Sequence, residues 1–145
     1  KAFGEVHRVL QPGGRFLFNT WDHVEVNDAS NTTQRALNNF FANDAPQFMD
    51  KGPFSFFGHD NIRQLLQQAG FQNIRISTVK KQTLPAAADD IINGFVDGSP
   101  LTGYLKERGA NADAIKEVIR NQFAADYASP ALPLSMQAIV VDVTK

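Results

Sequence analysis

The chain has 145 residues, 43% of them hydrophobic and 20% charged, with 14 Lys and Arg against 15 Asp and Glu. That length supports a sizeable core, and the near-balanced charge provides no field toward nucleic acid or an anionic membrane. The absence of cysteine excludes disulfides and thiol chemistry and fits a reducing, cytoplasmic setting, while no apolar run reaches the ~18 residues of a membrane span and no signal-peptide pattern opens the sequence.

Residues 1–10 put Phe3, Val6, Val9 and Leu10 on one helical stripe, and Pro12, Gly13 and Gly14 end that helix and reverse the chain. Residues 15–20, RFLFNT, alternate as a strand with two apolar faces, the pattern of a strand covered by helices on both sides. Ser30 or Asn31 is expected to cap a helix over 32–43 that turns Ala36, Leu37, Phe40 and Phe41 inward. NDAP, 43–46, stops it, and QFMDKGPFSFFG, 47–58, reads as a Phe-rich loop. Asp60 is expected to cap the next helix, with Ile62, Leu65, Leu66 and Ala69 as its stripe. Gly70 terminates it and Phe71 makes the apolar contact that follows such an end. Residues 73–81 set Ile74 and Ile76 against Arg75, Ser77 and Val79, a half-exposed strand.

Residues 86–127 read as three helices. The first, over 87–96, carries Ile91, Ile92, Phe95 and Val96; the second, opened by Ser99 and Pro100, carries Leu101, Tyr104 and Leu105; the third, capped by Asn111, carries Ile115, Val118, Ile119 and Phe123. After a loop, MQAIVVDV at 136–143 reads as a strand apolar on much of both faces. Three strands are few for a complete α/β domain of this length.

Three segments carry a resemblance. EVHRVLQPGGRFLFNTW, 5–21, resembles a signature of class I S-adenosylmethionine-dependent methyltransferases, in which a helix ending in an R-V-L-x-P-G-G turn leads into the fifth strand. The helix 60–70 with AGF and then QNIRIST resembles the element leading into the sixth strand, and MQAIVVDVTK is similar to the seventh. The resemblance implies an α/β fold: a partial Rossmann-like sheet in which the fifth, seventh and sixth strands are neighbours in that order, the seventh antiparallel, with helical lid insertions. The family's G-x-G-x-G loop and the acidic residue ending its second strand do not occur here. GPFSFFG is no substitute, because it follows no strand and opens no helix.

The resemblance therefore covers a C-terminal half. Residues 1–20 correspond to helix, turn and fifth strand, 21–57 to a lid insertion, 58–81 to helix and sixth strand, 82–133 to a helical lid and 134–145 to the seventh strand. Lys1, already in helical pattern, fits a piece of a longer fold. S-adenosylmethionine is then the cofactor of the parent protein, bound mainly outside this sequence, and these residues alone are expected to be inactive. The edge of strand 15–20 is expected to be covered by a second copy of the chain or by a rearranged segment, because unpaired strand edges recruit partners.

In open α/β sheets ligands bind beyond the carboxyl ends of the parallel strands, and both insertions rise from that edge in the implied topology. Methyl transfer chiefly requires alignment and exclusion of water, with a base only where the nucleophile loses a proton. A Phe-rich cap suits a small, largely apolar methyl acceptor. The substrate-binding candidates are Trp21, His23, Phe54, Phe57 and Phe95, with Phe48 and Phe56 as further wall residues. Each has a plainer reading. Trp21 packs between lid and sheet; Asp22 and His23 point apart as an exposed pair; Phe95 and Tyr104 belong to helical stripes; His59 and His7 lie at the surface. The three His have no metal-ligand spacing, and no G-x-S-x-G elbow occurs. A non-enzymatic module that binds a small ligand or a protein is the alternative function.

Overall fold

The computed structural model describes residues 1–47, 49–84, 86–127 and 131–145. Helix α1, Ala2–Val9, packs Phe3, Val6 and Leu10 against the sheet core and leaves Val9 exposed, so the expected stripe is narrower by one residue. Gly13 then adopts a φ of 78°, a left-handed conformation that a side chain disfavours, and the chain turns into β1, Arg15–Trp21. The turn is pinned from the far end of the sequence. Lys145 Nζ donates to the carbonyls of His7 and Leu10, satisfying the end of α1, and Gly13 N donates to the Lys145 carbonyl.

A short 3-10 turn, Val24–Val26, leads into α2, Asp28–Phe41. The helix begins earlier than the expected 32–43, and Asn27, rather than Ser30 or Asn31, holds the cap position. Ser30 is thereby drawn inside the helix and buried. Ala36 and Leu37 face inward as expected, whereas Phe40 is exposed and meets Phe41 edge-on. Helix α3, His59–Gln68, starts at Gly58 rather than at a cap on Asp60. Ile62 and Leu66 are fully buried and Leu65 lies on the outer side. Gly70, at φ 100°, ends it: Gly70 N donates to the Gln67 carbonyl, Phe71 N to the Leu66 carbonyl, and the Phe71 ring is buried behind the turn. His7 is not the surface residue expected, since its ring stands edge-on to Phe71 at 4.9 Å between centroids.

Strand β2, Asn73–Gln82, follows, and a two-residue strand β3, Ala86–Ala87, opens onto helices α4, Ala88–Val96, α5, Leu101–Glu107, and α6, Ala112–Asp126. The three helices fall where their stripes predict. Asn111 caps α6 by accepting from Asp113 N and Ala114 N, and Ser99 accepts from Leu101 N at the start of α5. The expected loop before the last strand falls partly on 128–130, outside the described residues. Strand β4, Ala131–Leu132, pairs with β3 as a small ribbon, and β5, Ser135–Thr144, closes the chain.

The main sheet has the order β1-β5-β2, and β5 runs antiparallel to both neighbours. The fold is α/β, with six helices and this three-stranded sheet among the described residues. Ile139, Val141 and Val143 alternate onto one face, where Phe16, Phe18, Ile74 and Ile76 join them under α1 and α3. The opposite face is not covered as expected. Leu17 there is 61% exposed, because α1 and α3 both pack on the same side. Among the described residues no strand pairs with the outer edge of β1. A second core joins the insertions: Ala36 and Leu37 of α2 pack with Ile92 and Val96 of α4, Leu101 and Leu105 of α5, and Ile115, Ile119 and Phe123 of α6.

Ile139→Ala empties a fully buried site in the central strand. It is expected to cost about 2–5 kcal/mol in urea unfolding, and a loss below about 1 kcal/mol would contradict the packing described. On the open face, hydrogen bonds from Arg15 hold the Asp142 carboxyl below its ordinary range, against the partial burial that pushes it up. A depressed carboxylate stabilises the fold above its unfolded pKa and loses that contribution as pH falls through the lower folded value. Thermal unfolding below about pH 4 should therefore decline less steeply in Asp142→Asn than in the unmodified chain.

Candidate functional site

The chain leaves β1 at Trp21 and enters β5 beside it, and a compact polar cluster fixes that junction. Asp22 N donates to the Gln137 carbonyl, and Gln137 Nε2 donates to the Asp22 carboxylate at 2.6 Å. The second Asp22 oxygen accepts from His23 N at 2.8 Å. Asn27, only 3% exposed, accepts from Gln137 N at 2.9 Å and donates to the carbonyls of His23 and Asp22. Asp28 accepts from Ser135 N. The strand ends and the start of α2 are thus locked to one another by side chains with no remaining freedom.

Above this junction lies a cavity of about 330 Å³. Trp21 of β1, Ala29 and Ser30 of α2, Met49, Pro53 and Phe54 of the Phe-rich loop, and Phe95, Ser99 and Pro100 of the helical insertion line it. Thr83 at the end of β2 and Leu134 to Met136 at the start of β5 complete it. It therefore sits at the carboxyl edge of the two strands that run parallel, β1 and β2, and both insertions contribute walls. The walls come together because Val24, Met49 and Phe54 form a small buried cluster against which Phe95 packs. The rings of Trp21 and Phe54 lie 5.8 Å apart, tilted by 30°.

The sequence-expected site residues divide. Trp21, Phe54 and Phe95 line the cavity. His23 and Phe57 meet each other instead, edge to face at 4.7 Å, and neither lines it. His23 Nδ1 accepts from Glu25 N and so caps the 3-10 turn. Phe56 packs with Phe3 in the sheet core, and its carbonyl accepts from Thr20 Oγ1. Phe48 lies outside the described residues. His59 Nε2 and Thr78 Oγ1 are 2.9 Å apart, which ties α3 to β2, and His59 is not at the cavity. Tyr104 lies near Arg108 at a separate surface recess.

No charged residue lines the cavity. Among the described residues, no three His, Asp or Glu side chains gather as a metal site requires. The nearest carboxylates, Asp22 and Asp28, are both engaged by donors from β5. Such a site binds by shape and apolar contact, and orients by the few polar groups it holds. Met49, Ser30, Leu134 and Met136 were not expected there. The earlier start of α2 brings Ser30 in, and a sequence signal existed: Ala29, Thr33, Ala36 and Leu37 extend the inward stripe one turn upstream. No protein-family model and no curated protein matches the chain.

Asn27→Ala removes the acceptor for Gln137 N and both donors to the chain after β1. A loss of about 2–3 kcal/mol is expected by urea unfolding, since a buried donor left without a partner costs its full desolvation. A change under about 0.5 kcal/mol would show that the junction does not hold the cavity floor.

Proposed function

We propose that this chain is the acceptor-binding flank of a class I methyltransferase-like protein, and that the cavity beside Trp21 receives a small, uncharged, largely apolar methyl acceptor. The observation that carries the reading is the strand arrangement. A final strand inserted between two earlier ones and antiparallel to both is what the resemblance implies for the family's fifth, seventh and sixth strands, and it is an uncommon order for a sheet to reach by chance. The cavity's position at the carboxyl edge of β1 and β2 supports it, because ligands of open α/β sheets bind there.

The residues at the cavity do not fit S-adenosylmethionine. A sulfonium nucleoside with an amino-acid tail carries charges, and no lining residue offers a carboxylate or a cation to meet them. The sequence also has no glycine-rich loop of the G-x-G-x-G kind. Donor binding is accordingly assigned outside these residues, and their own contribution is to seat the acceptor, hold its orientation and keep water away.

The cavity would serve a non-enzymatic ligand-binding module as well, and two measurements separate the readings. Isothermal titration of this chain with S-adenosylmethionine is expected to give no saturable heat, and micromolar binding would overturn the division of labour. The reading frame upstream of Lys1 is expected to encode a strand followed by G-x-G-x-G; a frame without that pattern would overturn the methyltransferase assignment and leave the binding module.

A further inference from the structure

Two surface features and one side chain of the cavity stand apart from the reading above. The recess lined by Lys80, Lys81 and Asp28 has lysines that are solvent-exposed on strand β2 and hold nothing in place. The open sheet face around Leu17 has nothing to define its partner. The third is a side chain within the cavity, and it carries more.

Ser30 is 8% exposed and lines the cavity, yet its hydroxyl has no hydrogen-bond partner among the described residues. A helical serine ordinarily bonds back to the carbonyl one turn earlier, and this one does not. Among the described residues the fully sealed unpaired side-chain atoms are Thr33 Oγ1 and Gln34 Oε1; the Ser30 hydroxyl is not among them, which fits a hydroxyl that reaches the cavity Ser30 lines. Trp21 brings an indole N–H at the exposed rim, and the other polar side chains of the lining are committed or outlying. Asn27 spends its amide on Asp22, His23 and Gln137, and Ser99 both donates to the Phe95 carbonyl and accepts from Leu101 N. Thr83 accepts from Leu134 N, and Ser135 is exposed. The Ser30 hydroxyl is thus held at the cavity wall with no protein partner, available to a ligand that displaces water from it.

The geometry points to Ser30 as the specificity-determining residue of this cavity: its hydroxyl pairs with a single hydroxyl or carbonyl on a small, uncharged, otherwise apolar ligand. The assignment rests on the reading of the cavity as a ligand site. The neutrality follows from the absence of any charged residue among the described lining residues. The asymmetry of hydrogen bonding gives the selectivity. A ligand lacking the polar group leaves the Ser30 hydroxyl dry and unpaired, whereas one that carries it gains a bond worth about a fivefold change in affinity.

Trp21 is the only tryptophan and lines the cavity, so its emission reports occupancy directly. Titration of the full chain with cyclohexanol and with chlorocyclohexane, matched in shape, is expected to show saturable changes in Trp21 emission with cyclohexanol about fivefold tighter. In Ser30→Ala the two affinities should converge to within about twofold through weakening of cyclohexanol alone. Alanine is the strongest helix former, so α2 is retained, which far-ultraviolet circular dichroism checks; the preference of the unmodified chain is in any case a readout that needs no variant. Equal affinities in the unmodified chain, no emission response to either probe, or a substitution that weakens both probes alike would overturn the assignment. Neither probe involves S-adenosylmethionine, so a failure of the donor assignment leaves this result untouched, and a failure here leaves the upstream reading frame to decide the class by itself.

Discussion

The final strand, β5, forms the middle of the main sheet, and the rest of the structure depends on that placement. β5 pairs with β1 from Arg15↔Thr144 to Trp21↔Ala138 and with β2 from Asn73↔Thr144 to Gln82↔Ser135. Without it, β1 and β2 have no contact in the sheet at all. Its alternation fixes the register: Ile139, Val141 and Val143 are fully buried, and a slip of one residue would send them to the open face and bring Val140 and Asp142 into the core. Because both pairings join residues far apart in sequence, the sheet is a late and cooperative event that cannot form until the chain's end is in place. Lys145 then closes the arrangement by capping α1 and meeting the Gly13–Gly14 turn, so the first and last elements stabilise one another.

That central strand also decides where the insertions go. Its entrance, at Leu134 to Gln137, stands beside the exits of β1 and β2, so the segments after β1 and before β5 emerge at one edge. Neither insertion has a core sufficient by itself. The helices of the second close their apolar stripes on α2 of the first, and Arg35 and Thr32 of α2 bond to Asp126 of α6. Two insertions that share one core behave as one cap, and a cavity left between cap and sheet edge is shaped by both.

The sequence made the strands and most helices legible because each carries a strong local period or a definite end. The Gly70 terminus with Phe71 and the Asn111 cap are local chemistry and appear as read. What failed depended on packing that no local pattern encodes. RFLFNT offers Leu17 as an apolar residue on a second face, but whether that face is covered depends on where helices are, and both lie on the other side. Ser30 looks like a cap by residue type, yet the chain is brought into α2 earlier by Asn27, whose side chain serves β5 rather than its own helix. The Phe-rich loop announced a pocket wall, and its members part by a rule the sequence hides. Phe54 turns to the cavity, Phe56 to the sheet core, and Phe57 to His23.

The chemistry available at the sheet edge is constrained by the same hydrogen bonds that build it. Asp22, Asp28 and His23 are titratable groups beside the junction, and with Asn27 each makes a hydrogen bond that holds a backbone or a strand end. Recruiting any of them to a reaction would release the junction that shapes the walls, so the edge is committed to structure. What remains is a largely apolar chamber in which Ser30 is the buried hydroxyl without a described partner. Under the proposed reading, the reaction there would be one whose barrier yields to alignment and dryness, with the reactive group delivered from outside the chamber.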